Sequence, residues 1–255
     1  MVYDSKSDRV INYLDVRVSG SSAVPIGKTI AYDFNSDSLV EMSPALIPVG
    51  YVGAQLAYDS ESDRVILFAG YDFINNKLYD ETWVYDYNSN TWTKMDPAVH
   101  PGDRNYQNMT YIPSIDRVIL FGGDSFRPPV SETWLYDYNT DSWTQVNVVN
   151  TPPDLYYGSM VYVSSIDRVI LFGGVNAKTG DFLGETWSFN PVSMDWENLA
   201  PAVSPGPRAW HAMAYDSRAD KVILFGGGAG KDAWTNETWS YDPKTNTWTD
   251  LTQGP

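Results

Sequence analysis

Residues 167–174 read DRVILFGG, and the same string stands at 116–123. DRVILFAG occupies 63–70, DKVILFGG occupies 220–227, and a shortened cousin, DRVINYLD, occupies 8–15. Their starts lie 55, 53, 51 and 53 residues apart. A sustained period of this size marks one supersecondary unit used over and over. The neighbours of the string repeat with it. Before it comes an apolar segment carrying Tyr: MVYD from Met1, QLAYD from Gln55, NMTYI from Asn108, SMVYV from Ser159 and AMAYD from Ala212. After it come ETWVYDYN from Glu81, ETWLYDYN from Glu132, ETWSFNP from Glu185 and ETWSYDP from Glu237, with KTIAYDFN from Lys28 in the first unit. A last segment carries Trp92, Trp143, Trp196 or Trp248, or Leu39 in the first unit.

Each segment is short, rich in β-branched and aromatic residues, and bounded by Asp, Asn, Ser, Gly or Pro, which is a strand signal. No 3.6-residue apolar period runs long enough for an ordinary helix. The chain therefore predicts an all-β fold of five four-stranded units, with strands A to D in each. The Asn- and Asp-rich link between C and D predicts a tight hairpin turn. The spacing from strand C to strand D is 9 residues in every unit, and from strand D to the next strand-B Val it is always 26. Only the stretch from the strand-B Val to strand C varies, through 20, 18, 16, 18 and 17 residues. Variable loops on a fixed scaffold are where function tends to sit.

The Gly-Gly ending strand B, the Tyr-Asp of strand C and the Trp nine residues after the strand-C Trp resemble the kelch repeat. The resemblance covers nearly the whole chain and extends to the central domain of galactose oxidase. It implies a β-propeller of five four-stranded antiparallel blades in one domain over 1–255, with strand A innermost. The blades fall at about 1–48, 49–101, 102–153, 154–205 and 206–255. A closed five-blade ring would bring Met1 and Pro255 together; a piece of a larger propeller is the alternative.

Composition removes several classes. The chain of 255 residues has 17 Lys+Arg against 32 Asp+Glu, a formal charge of −15. That charge repels phosphate backbones and anionic lipid surfaces, so neither nucleic acid nor membrane insertion is expected. No Cys is present, so there is no thiol nucleophile, no thiolate metal site and no Cys–Tyr crosslink of the galactose oxidase kind. With His100 and His211 alone, a multi-histidine metal site cannot form. No cofactor or metal is expected, and no catalytic residue stands out. The missing Cys and the acidity lean to a prokaryotic cell-envelope or secreted setting, with a cytoplasmic one left open.

Pseudo-symmetry sorts the remaining residues, because a residue type present in every unit serves the blade. Glu81, Glu132, Glu185 and Glu237 are expected to be blade hydrogen-bond partners, and Arg9, Arg64, Arg117, Arg168 and Lys221 to be structural cations. Eight of the ten Trp are the repeated pairs, which leaves Trp210 and Trp234. Trp210 precedes strand A of the fifth unit, and Trp234 lies in its B–C stretch. The kelch resemblance opens D–A and B–C loops on one face. Tyr71, Phe73, Arg104, Tyr106, Phe126, Arg127, Tyr156, Tyr157, Phe182, Arg208 and His211 fall in the same kinds of loop. Rings beside arginines in an acidic protein are what a protein, peptide or sugar partner anchors in. The expected activity is thus a monomeric, non-catalytic binding scaffold for a protein or peptide. A carbohydrate-binding or carbohydrate-processing propeller, or a structural module of a larger extracellular protein, is the alternative.

Overall fold

The computed structural model describes residues 1–19, 22–48, 51–125, 131–230 and 233–252. Phe126, Arg127 and the terminal Pro255 lie outside these residues. Among the described residues every regular element is a strand. Blade 1 comprises Val2–Asp4, Arg9–Ser19, Ser22–Asp33 and Ser38–Met42. Blade 2 comprises Gln55–Asp59, Arg64–Asp72, Lys77–Asp86 and Thr91–Lys94. Blade 3 comprises Asn108–Ile112, Arg117–Phe121, Thr133–Asp137 and Ser142–Val146. Blade 4 comprises Ser159–Val163, Arg168–Asn176, Phe182–Asn190 and Asp195–Asn198. Blade 5 comprises Ala212–Asp216, Lys221–Phe225, Thr238–Asp242 and Thr247–Asp250. Each sheet runs in simple A–B–C–D order, which gives the five four-stranded antiparallel blades that the repeat predicts. In blade 4 the lead-in pair Leu155–Tyr156 also joins strand B.

The repeated residues have definite jobs inside a blade. The Asp that opens each string sits at positive φ, from 50° to 60° at Asp8, Asp63, Asp116, Asp167 and Asp220. Aspartate tolerates that conformation because its short side chain can bond locally. Here the strand-A tyrosine five residues earlier donates to it: Tyr58 to Asp63, Tyr111 to Asp116, Tyr162 to Asp167 and Tyr215 to Asp220, at 2.8–2.9 Å. The next residue is the strand-B cation, which pairs with the aspartate of strand C: Arg9–Asp33, Arg64–Asp86, Arg117–Asp137 and Lys221–Asp242. Both hairpin turns of a blade are thereby tied to each other.

The chain forms two compact units. The first holds Met1–Leu120, Ser125–Pro128 and Trp134–Gln145; the second holds Phe121–Asp124, Pro129–Thr133 and Val146–Pro255. Blades pack in the same way within each. In the first, the strand-D indoles Trp92 and Trp143 donate to the Thr29 and Thr82 hydroxyls of the preceding blade, at 2.7 and 2.9 Å. In the second, Trp196 and Trp248 donate to Thr133 and Thr186, at 2.9 and 3.0 Å. The rings also meet the last phenylalanine of strand B, as in Phe68–Trp143, Phe121–Trp196 and Phe172–Trp248. Each indole is buried with its one donor satisfied, so the apolar area is gained without an orphaned N–H. The strand-C tryptophans Trp83, Trp187 and Trp239 instead donate to Glu81, Glu185 and Glu237 two residues back, the blade role expected for those acids.

The paired glycines of strand B position the loops. Gly173 and Gly174 adopt φ of 64° and 109°. The Gly174 N–H donates to the Arg208 carbonyl at 2.8 Å, and a Cβ on Gly173 would lie 2.5 Å from that same oxygen. Only glycine lets the lead-in to blade 5 come that close. Part of the expected loop variation is strand: B and C extend as a hairpin in blades 1, 2 and 4, whereas B ends at Phe121 in blade 3 and at Phe225 in blade 5.

Candidate functional site

The second unit collects most of the residues that the sequence singled out. Tyr157 and Trp210 occupy matching places in the lead-ins to blades 4 and 5, each at φ 58°. The Trp210 N–H donates to the Tyr157 carbonyl at 3.1 Å, which stacks one lead-in on the other. Their rings lie 4.7 Å apart. Tyr156 packs on Tyr157 at 4.9 Å, and Phe182, at the start of strand C of blade 4, meets Trp210 at 5.8 Å. The glycine-rich B–C loop of blade 5 closes the group. Ala209 and Gly228 exchange two backbone hydrogen bonds of 2.8 and 3.0 Å, and Gly228 in turn bridges to Trp234. A Cβ on Gly228 would come 3.2 Å from the Trp210 ring, a tight approach that the ring would have to ease by a few tenths of an ångström. Trp234 thus ends 5.7 Å from Trp210. Both remain in water, Trp210 at 45% and Trp234 at 72% exposure.

Beneath these rings the charged residues are already engaged. Arg208 is 2% exposed. It donates to Glu237 at 2.6 Å, to the Gly226 carbonyl at 3.2 Å and to the Gly206 carbonyl at 3.0 Å. This guanidinium, followed by the Trp239 indole, holds the Glu237 carboxyl below its usual range. His211 is buried against Phe172, their rings 5.5 Å apart. Burial first, and the nearby Arg208 charge second, push its imidazole down to about 3, so it is neutral. The Phe172 carbonyl approaches the ring and opposes that shift, but neither ring nitrogen completes a hydrogen bond. Among the described residues no Ser or Thr hydroxyl is therefore held by His211 as a nucleophile would need to be.

The first unit holds the other described candidates. Tyr106 sits at φ 54° with its N–H donating to the Gly53 carbonyl at 2.8 Å, the same lead-in geometry as Trp210. Arg104 is buried and donates to the Gly102 carbonyl. Tyr71 exchanges backbone hydrogen bonds with Val52 and caps Asn76 through its hydroxyl. Phe73 lies in the tight turn after it, where Asp72 accepts from the Ile74 and Asn75 N–H groups. That Asp72 carboxylate is occupied as a turn cap. Among the described residues no three His, Asp or Glu side chains gather in a metal-binding group, and no helix is long and apolar enough to cross a membrane.

Sequence reasoning grouped Arg168 with the repeated structural cations. The structure separates it from them, because its strand-C partner position is Asn190 and not aspartate. The signal was legible in ETWSFNP, where Asn stands in place of the Asp of ETWVYDYN, ETWLYDYN and ETWSYDP.

Comparison with known proteins agrees with this architecture. A family model described as the KLHDC2/KLHL20/DRC7 Kelch-repeats domain matches residues 24–215, and a Kelch motif model matches residues 217–255. The chain belongs to the kelch-repeat family. It is 26% identical over 171 residues to Kelch domain-containing protein 3 of Bos taurus, covering 63% of this chain and 44% of that protein. It is 29% identical over 137 residues to Multiple epidermal growth factor-like domains protein 8 of Mus musculus, covering 51% of this chain and 5% of that one. It is 28% identical over 148 residues to the Dynein alpha chain, flagellar outer arm, of Chlamydomonas reinhardtii, covering 48% and 3%. The match thus spans less than half the length of each of these relatives.

Proposed function

We propose that the chain is a non-catalytic binding scaffold that takes a protein or peptide segment on the loop side of blades 4 and 5. The observation that carries this reading is the exposed pair Trp210 and Trp234, backed by Tyr157 and Phe182. Large rings left in water at the centre of a fixed loop group are the kind of anchor that dominates interfaces. The rings tilt against each other by 46–65°. They make a creased surface that suits side chains of a segment better than the flat face of one sugar ring.

The test is a random-peptide display selection on the intact protein, with Trp210→Ala/Trp234→Ala as the counter-screen. Recovered peptides should bind the double variant at least tenfold more weakly, while its melting curve stays close to that of the original. Peptides that bind both proteins alike would place the surface elsewhere. Hits on a glycan array that vanish in the double variant, with no such peptides, would favour the carbohydrate reading.

A further inference from the structure

The turn side of blade 4 carries a break in the repeat. In blades 1, 2, 3 and 5 the strand-C aspartate divides its two oxygens between two tasks. In blade 1, Asp33 Oδ1 accepts the N–H groups of Asn35 and Ser36, and Oδ2 takes the Arg9 guanidinium at 2.9 Å. Asn190 keeps the first task, because its Oδ1 accepts the N–H groups of Val192 and Ser193 at 2.9 and 3.4 Å. Two N–H donors fix which amide atom is the oxygen. The atom left in the place of Oδ2 is then Nδ2, itself a donor. Arg168 still donates through Nη1 to the Ile166 and Asp167 carbonyls. Among the described residues no carboxylate comes within ion-pair distance of it. A guanidinium edge and an amide N–H2 thus line one space with no protein acceptor assigned to them.

That space is large enough for a ligand. Arg168 and Asn190 line a cavity of about 440 Å3, together with Asn150, Asn198, Ser193 and Trp187. Small-molecule sites run from roughly 300 to 1,000 Å3. The acidic residues facing it are Asp195 and Glu197. Asp195 is occupied: its carboxylate accepts the N–H groups of Val149 and Asn150 at 2.9 Å and the Asn150 amide at 3.0 Å. Glu197 is exposed and can accept hydroxyl groups. The lining therefore offers a fork of donors, amides, a hydroxyl, one acceptor and an indole wall.

The geometry points to a binding site for a carboxylated sugar in blade 4. The carboxylate takes the Arg168 guanidinium and the Asn190 amide, the ring rests against Trp187, and the hydroxyls meet Asn150, Asn198 and Glu197. Arg–carboxylate contact is strong and directional enough to hold a small anion. The net charge of the chain does not forbid it, since exposed charges are screened beyond about 8 Å at physiological salt. This site is independent of the loop-side reading.

Titration with glucuronate, followed by calorimetry and by ligand-observed NMR, tests the assignment. Asn190→Asp is the decisive variant, because it restores the ion pair that four sibling blades already tolerate. Glucuronate should bind the original protein, glucose at least tenfold more weakly, and Asn190→Asp should lose about tenfold or more. Trp210→Ala/Trp234→Ala should bind glucuronate unchanged. Equal binding by Asn190→Asp, or no binding at about 10 mM glucuronate, would overturn the proposal. A Glu-containing tripeptide or acetate binding as well as glucuronate would remove the sugar from it.

Discussion

On the turn side of the blades, polar groups are assigned by the repeat: a tyrosine caps an aspartate five residues on, and a cation reaches across to strand C. On the loop side of the second unit, the rings of Tyr157, Phe182, Trp210 and Trp234 touch one another, and two of them stand in water. The two sides are built from the same blades, so the difference lies in what must be shared. A turn that has to close each blade keeps its bonding pattern. A loop that only has to leave strand B and reach strand C can change length and residue. Blade 4 carries a departure on the rigid side too, where Asn190 and the exposed Val192 replace the Asp and Asn of blades 2 and 3.

The largest expected effect breaks the repeated side. Trp196→Ala removes a buried ring and leaves the Thr133 hydroxyl without its donor. It should cost about 3–5 kcal/mol, the range for emptying an aromatic site in a core. Trp234→Ala should cost less than about 1 kcal/mol, as exposed substitutions usually do. Denaturant melts of both variants measure the contrast, and equal losses would erase it.

A smaller effect concerns pH. Unfolded imidazole takes its proton near 6.5, whereas folded His211 waits until about 3. Between those values the unfolded state binds more protons, so stability falls as the pH drops through that window. Gln107 holds the matching place in blade 3 and donates to the Phe68 carbonyl at 2.7 Å. His211→Gln should therefore bond to the Phe172 carbonyl and lose less melting temperature between pH 7 and pH 5 than the original protein. Near pH 2 both should weaken together. There Asp220, held at about 2 by Lys244, then Ser165 and Tyr215, gives up its charge. An unchanged pH 7-to-5 difference in the variant would show that His211 does not titrate as its burial dictates.

The smallest effect sharpens the comparison on the turn side. Asn190→Asp should raise stability by less than about 1 kcal/mol, because it adds one half-exposed ion pair. Thermal melts at low and high salt should show the gain shrinking as salt rises. A loss of stability instead would mean that the Asn190 amide already has a structural partner.

Much of the architecture was legible because the repeat states each contact several times. The Thr of the ETW segments looked like an ordinary strand residue, yet its hydroxyl is the acceptor for the next blade's indole. The aromatic group was legible by subtraction, through the two tryptophans that do not repeat. Arg208 was less so. In sequence it reads as a surface cation in a D–A loop, but Glu237 and two carbonyls hold it beneath the rings. Its neighbour His211 is buried with it, so the described loop surface around Trp210 and Trp234 is aromatic rather than basic.

The sequence by itself determined the strand order within each unit and the blade count. These follow from a period that one blade cannot escape without losing its neighbours. Only the tertiary structure decided that Arg208 is spent beneath the rings. Arg208 and Arg168 are the same residue type. One meets a carboxylate brought from 29 residues away; the other meets an amide where its siblings meet an aspartate. Pairing across a sheet or between loops depends on where two backbones bring their side chains. Spacing along the chain does not carry that distance.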